Sequence, residues 1–173
     1  MDKLRGMIDS FNRSITLLNE SSYDKQSLFL FFTYLDQLGW LISPNQYSNG
    51  SDFRNWINTY CDLTKVRCTS IDLWNTRCSL LHMGTAEHKN FNSEKHFRLA
   101  FYQNLELSDQ ELIIEERNYP QPTKLIDTSV LYNCLNDGID NFFQALDLDA
   151  VLKSSVLDKC EKMNNLYVLH KQV

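Results

Sequence analysis

The chain has 173 residues, 43% hydrophobic and 12% aromatic, enough apolar surface for a packed core and too much for an intrinsically disordered chain. Its formal net charge of −5 argues against a broad nucleic-acid-binding face, which needs a basic excess, and against electrostatic docking on an anionic membrane. The longest apolar run, Leu28 to Phe32, is far too short to span a bilayer, and Met1 to Arg5 leads into an amphipathic pattern rather than a signal peptide.

In chain order, Lys3 to Asn19 read as a helix, with Leu4, Met7, Ile8, Phe11, Ile15 and Leu18 at three- and four-residue steps. Ser21 or Ser22 is the expected N-cap of a second helix, from about Tyr23 to Gly39. Its stripe of Leu28, Phe31, Phe32, Leu35 and Leu38 is so apolar that it belongs at the centre of the fold or against a second subunit. Pro44, Asn45, Asn49 and Gly50 mark a loop. Ser51 is the expected cap of a short third helix with Phe53, Trp56, Ile57 and Tyr60 inward. Thr69 or Ser70 caps a fourth, central helix that stops at Met83-Gly84. Phe97, Leu99 and Phe101 then alternate as in a strand, with Leu112-Ile113-Ile114 as its candidate partner, although Ser108 and Glu111 also spell a capping box. Asp127 or Thr128 opens a long helix carrying Leu131, Leu135, Ile139, Phe142 and Leu146, and a last helix runs from about Asp149 to Leu166. No repeat or linker divides the chain. The expectation is one domain over residues 1–173: mainly α, a bundle of about five to six helices with a small β-hairpin or irregular insertion after the central helix.

Five cysteines, an odd number without Cys-x-x-Cys, read as reduced thiols in the core of a cytoplasmic protein. The histidines show no metal-ligand spacing, so neither metal nor cofactor is expected. His88, Lys89 and His96 fall in a polar stretch and read first as solvated. The pairs Glu115-Glu116 and Asp147/Asp149 read as solvated faces or caps.

The chemistry concentrates in the central helix. On a helical wheel Ile71, Leu73, Trp74, Cys78, Leu80 and Leu81 share one arc of about 180°, and Asp72, Asn75, Thr76 and Ser79 fill the other side. Arg77 falls inside the apolar arc and His82 at its edge, in the last turn. An arginine on a core-facing or interface-facing stripe needs an anionic partner, either a carboxylate or a ligand's phosphate. A carboxylate on the long helix, Asp137 or Asp140, would make the pair purely structural. A Cys78–His82 thiolate dyad is the weaker reading of the same turn.

Arg77-Cys78-Ser79-Leu80-Leu81-His82, an Arg-x4-His run at a helix end in an all-helical chain, resembles the HEPN domain family. That family's signature is an arginine, four to six residues, then a histidine. The position after the arginine, often Asn or Asp in the family, is Cys78 here. The resemblance implies a helical homodimer, an RNA substrate, no metal, and Arg77 and His82 as the catalytic pair of an endoribonuclease of toxin or phage-defence type, with an antitoxin or other protein as possible partner. The residue types suit that chemistry. Histidine moves protons near neutral pH, a guanidinium holds two phosphate oxygens, and the negative end of the helix dipole at His82 suits a general acid. Five residues span about 140° of helix, so one copy converges poorly on a phosphate and a dimer cleft is expected. The alternative is a non-catalytic helical module that dimerises or binds a protein partner or a nucleotide.

Overall fold

The computed structural model describes residues 1–83 and 96–163. The periodic apolar segments form helices, and each buries the stripe its spacing defines. Helix α1 (Asp2–Glu20) turns Leu4, Ile8 and Ile15 inward. Helix α2 (Asp24–Ile42) buries Leu28, Phe31, Phe32, Tyr34, Leu35, Leu38 and Leu41, and it is the central element of the bundle. Neither serine caps it: Ser21 closes α1, and Ser22 adopts a left-handed φ of 60° that reverses the chain, so Tyr23 occupies the N-cap without a side-chain bond.

Helix α3 (Gly50–Tyr60) buries Phe53, Trp56, Ile57 and Tyr60 as its spacing requires. Its cap is Asn49 rather than Ser51, because Asn49 and Asp52 exchange side-chain and backbone hydrogen bonds in a complete capping box. Gly39 does not end α2. It lies inside the helix, where a Cβ would stand 2.8 Å from the Phe53 Cα, so glycine is what lets the α3 backbone approach. After a 3-10 turn at Leu63–Lys65 comes α4 (Ser70–Met83), capped by Thr69 with Asp72.

The insertion that follows is not a hairpin. Strand β1 (Arg98–Tyr102) pairs in parallel with β2 (Thr123–Asp127), from Arg98↔Thr123 to Tyr102↔Asp127. Parallel neighbours need a crossover of a dozen residues or more. It is supplied by α5 (Asp109–Arg117), which the Ser108–Glu111 capping box starts, so Leu112-Ile113-Ile114 is helix and not strand. Glu116 is not on a solvated face. Its side chain is 10% exposed, pairs with both terminal nitrogens of Arg67 and accepts from the Leu125 N–H, tying α5 to β2.

Asp127 caps α6 (Thr128–Leu148), which buries Leu131, Leu135, Ile139, Phe142 and Leu146, and Asp149 caps α7 (Ala150–Met163), which buries Val156 and Cys160. The described residues therefore form seven α-helices, six of them in a bundle centred on α2 and the other, α5, within a small parallel β–α–β insertion after α4. The five cysteines are free thiols. No helix among the described residues is long and apolar enough to cross a membrane.

Candidate functional site

Helix α4 sits in the bundle the opposite way round from its hydrophobic arc. Its polar side is buried: Asp72 is 1% exposed, Asn75 2%, and Thr76 and Ser79 0%. Ile71, Trp74, Cys78 and Leu81 are only half-buried, with Leu73 and Leu80 completing the inward side. Local bonds make this burial tolerable. The Asp72 carboxylate accepts from the Thr69 N–H and hydroxyl and, through its other oxygen, from the Phe97 N–H at 2.9 Å, joining α4 to the start of β1. The Ser79 hydroxyl donates back to the Asn75 carbonyl at 3.0 Å. Asn75 Nδ2 and Thr76 Oγ1 find no hydrogen-bond partner among the described residues.

This orientation puts Arg77 at the rim of the bundle against α2, not in the core. Its partner is Asp36. Arg77 Nε donates to Asp36 Oδ2 at 2.6 Å, Nη2 donates to the same oxygen, and each side chain is 19% exposed. Asp137 and Asp140 are not the partners. Burial pushes the Asp36 carboxyl above its ordinary range, a shift the hydrogen bond and charge of Arg77, and more weakly His82, oppose. The pair was visible in the chain as one overlooked signal: Asp36 is the single charged residue between Leu28 and Ile42.

Arg77 and His82 do meet within one copy. Nη1 reaches back to 3.3 Å from His82 Nε2, because the long side chain spans the angle that separates the two positions on the helix. A guanidinium has donors and no acceptor, so in this contact Nε2 presents its lone pair and Nδ1 carries the proton. The result is a chain, Asp36–Arg77–His82, running from a half-buried carboxylate to an exposed imidazole. Among the described residues Arg77, not Cys78, is the side chain that reaches His82.

A groove of about 440 Å³ opens beside this chain. Thr33, Asp36, Gln37 and Trp40 line it from one face of α2, Trp74 and Arg77 from α4, Ser48 and Asn49 from the loop before α3, and Met163 from α7. The Arg77 guanidinium lies 5.1 Å from the centre of the Trp74 ring, a cation–π contact. Gly50 makes room for that indole, since a Cβ there would come within 2.6 Å of it.

His88 and Lys89 lie outside the described residues. His96 is half-buried with Nδ1 unpartnered among the described residues. Phe97, Phe101 and Tyr102 are half-buried, and Phe101 packs edge-on against Phe32. No group of three or more His, Cys, Asp or Glu among the described residues is placed to hold a metal ion.

Fold and site together define a helical bundle with a parallel β–α–β insertion and a carboxylate–guanidinium–imidazole chain on one rim. The chain matches no family model, no curated protein and no solved structure.

Proposed function

We propose that this protein is a cytoplasmic, metal-independent endoribonuclease of the HEPN type, acting in toxin or phage-defence fashion. The observation that carries the reading is the 3.3 Å contact between Arg77 Nη1 and His82 Nε2, with Asp36 holding the rest of the guanidinium. Asp36 engages Nε and Nη2, so Nη1 is the nitrogen free to exchange His82 for a phosphate oxygen. That exchange frees the His82 lone pair to take the 2′-OH proton. The 2′-oxygen attacks phosphorus, Arg77 stabilises the charge gathering on the phosphoryl oxygens, and the 5′-oxygen leaves with a proton from an imidazolium. The products are a 2′,3′-cyclic phosphate and a 5′-OH.

A homodimer would supply the second imidazole from His82 of the partner subunit. The half-exposed apolar residues Ile71, Cys78 and Leu81 of α4 support such an interface. A second reading is favoured by the same ion pair: with three of its nitrogens engaged, Arg77 also suits a non-catalytic module that uses this face to dimerise or to bind a protein partner.

The test is inducible expression of the wild type, Arg77→Ala and His82→Ala, scored by growth and RNA integrity, followed by cleavage with purified protein in EDTA and light scattering for the oligomer. The enzyme reading expects cleavage by the wild type alone, with each variant down by about 10²–10⁴. Intact RNA and normal growth with the wild type would leave the interaction module as the account.

A further inference from the structure

The groove beside Arg77 carries more than a phosphate requires. The chain has three tryptophans; Trp56 is 0% exposed in the core, and the other two, Trp40 and Trp74, both line this groove from different helices. Indole faces beside a cationic phosphate contact are the usual means of holding an unpaired base, because every base has a π-face. A cation stands over each ring: Arg77 at 5.1 Å from Trp74, and the Lys159 ammonium at 5.0 Å from Trp40. Of the two, Arg77 lines the groove, and the Lys159 ammonium is held by the Trp40, Ser43 and Asn45 carbonyls.

Gln37 adds a polar reader. It lines the groove one position along from Asp36, and its Oε1 is shut off from solvent without a hydrogen-bond partner among the described residues. A buried acceptor left in that state calls for a donor. The volume, about 440 Å³, lies in the range of small-molecule sites and is ample for a nucleoside.

We infer that this groove is a nucleobase subsite, in which Trp40 and Trp74 stack the base next to the phosphate held by Arg77, and Gln37 Oε1 accepts a hydrogen bond from the base's exocyclic amine. The inference rests on the reading of Arg77 as a phosphate contact and adds a specificity: adenine and cytosine carry an amine at the same place on the base edge, where guanine and uracil carry a carbonyl.

The experiment titrates the full chain with each of the four nucleoside 3′-monophosphates, and with ribose 5-phosphate as the base-free control. Tryptophan emission and calorimetry follow binding. The expected result is quenching by all four nucleotides, with affinity for the adenosine and cytidine compounds about fivefold above that for guanosine and uridine, and no quenching by ribose 5-phosphate. Gln37→Met should erase the fivefold difference while keeping the quenching. Trp74→Leu and Trp40→Leu should each weaken all four compounds by about tenfold, with circular dichroism confirming the fold of every variant.

Equal response to ribose 5-phosphate, or no response to any nucleotide, overturns the subsite. So does emission that tracks protein concentration alone, which would place a second copy in the groove. The two readings fail separately. RNA cut in an Arg77- and His82-dependent way without mononucleotide binding removes the subsite and keeps the nuclease. Base-selective binding without cleavage does the reverse.

Discussion

Replacing Arg77 with methionine removes the guanidinium but keeps most of its apolar stem, leaving Asp36 without its cation. With each side chain 19% exposed, the pair lies between two limits. Exposed pairs contribute less than about 1 kcal/mol, and stripping one partner from a fully buried pair costs about 3–5 kcal/mol. An intermediate cost of about 2 kcal/mol follows at neutral pH, or a fall in Tm of roughly 4–8 °C for a chain of this size. The pH dependence sharpens the test. Burial already holds the Asp36 carboxyl above its ordinary range, and Arg77 supplies the largest opposing influence, so the substitution drives it higher still. A carboxyl raised in the folded state contributes stability that is full below its unfolded pKa and is lost as pH rises through the folded value. Arg77→Met and wild type should therefore be nearly equal in stability at about pH 4 and diverge toward pH 7. Urea denaturation at a series of pH values measures this, and adding Asp36→Asn to Arg77→Met should recover most of the loss at pH 7. A gap of the same size at both ends of the pH range would refute the reasoning, because it would mean that lost packing, not the stranded carboxylate, sets the cost.

Gly39→Ala sets two effects against each other: alanine is better in a helix by about 1 kcal/mol, but its Cβ would meet the α3 backbone at Phe53 and Asp52, which cannot rotate away. The variant should lose about 1–3 kcal/mol net in thermal or urea unfolding, and a gain in stability would show that α2 and α3 are not held this close. Thr76→Val keeps the shape of a fully buried side chain and deletes a hydroxyl without a partner among the described residues, so it should stabilise the protein by about 1 kcal/mol. Burial, with Asp72 and Cys134 adding to it, pushes the Cys68 thiol up to about 12. Mass spectrometry after alkylation at about pH 8 should find Cys68 unmodified in the folded protein and modified in urea. Because the shift is upward, any stability it carries is full below the ordinary thiol range and drains away as pH climbs toward that raised value.

Much of the chain announced itself locally. The stripes of α2, α3 and α6 named their own buried residues, and the starts of α4 and α6 were narrowed to Thr69 or Ser70 and to Asp127 or Thr128, because a cap is settled by residues three or four positions apart. Arg77 and His82 were legible as neighbours at one helix end for the same reason, although the angle between them hid that a flexible guanidinium closes the gap. The sequence also held Glu111 and Ser108 as a cap, and that local signal correctly outweighs the β-branched Ile113-Ile114 pair.

What periodicity states is which residues share a face; it does not state what lies opposite that face. Helix α4 turned its polar side inward because Asp72 is anchored by Phe97 and the small Thr76 and Ser79 permit close packing, and both depend on elements distant in the chain. Asp36 as the partner of Arg77, Glu116 as a buried tie, and the parallel register of β1 and β2 are likewise long-range choices. Local sequence settled most of the helices and placed Arg77 and His82 at one helix end, but not the caps at Tyr23 and Asn49 nor the contact between the two side chains. Tertiary packing alone decided which carboxylate holds the arginine and which side of α4 faces out, because burial is paid for by contacts between segments and no single segment carries both partners.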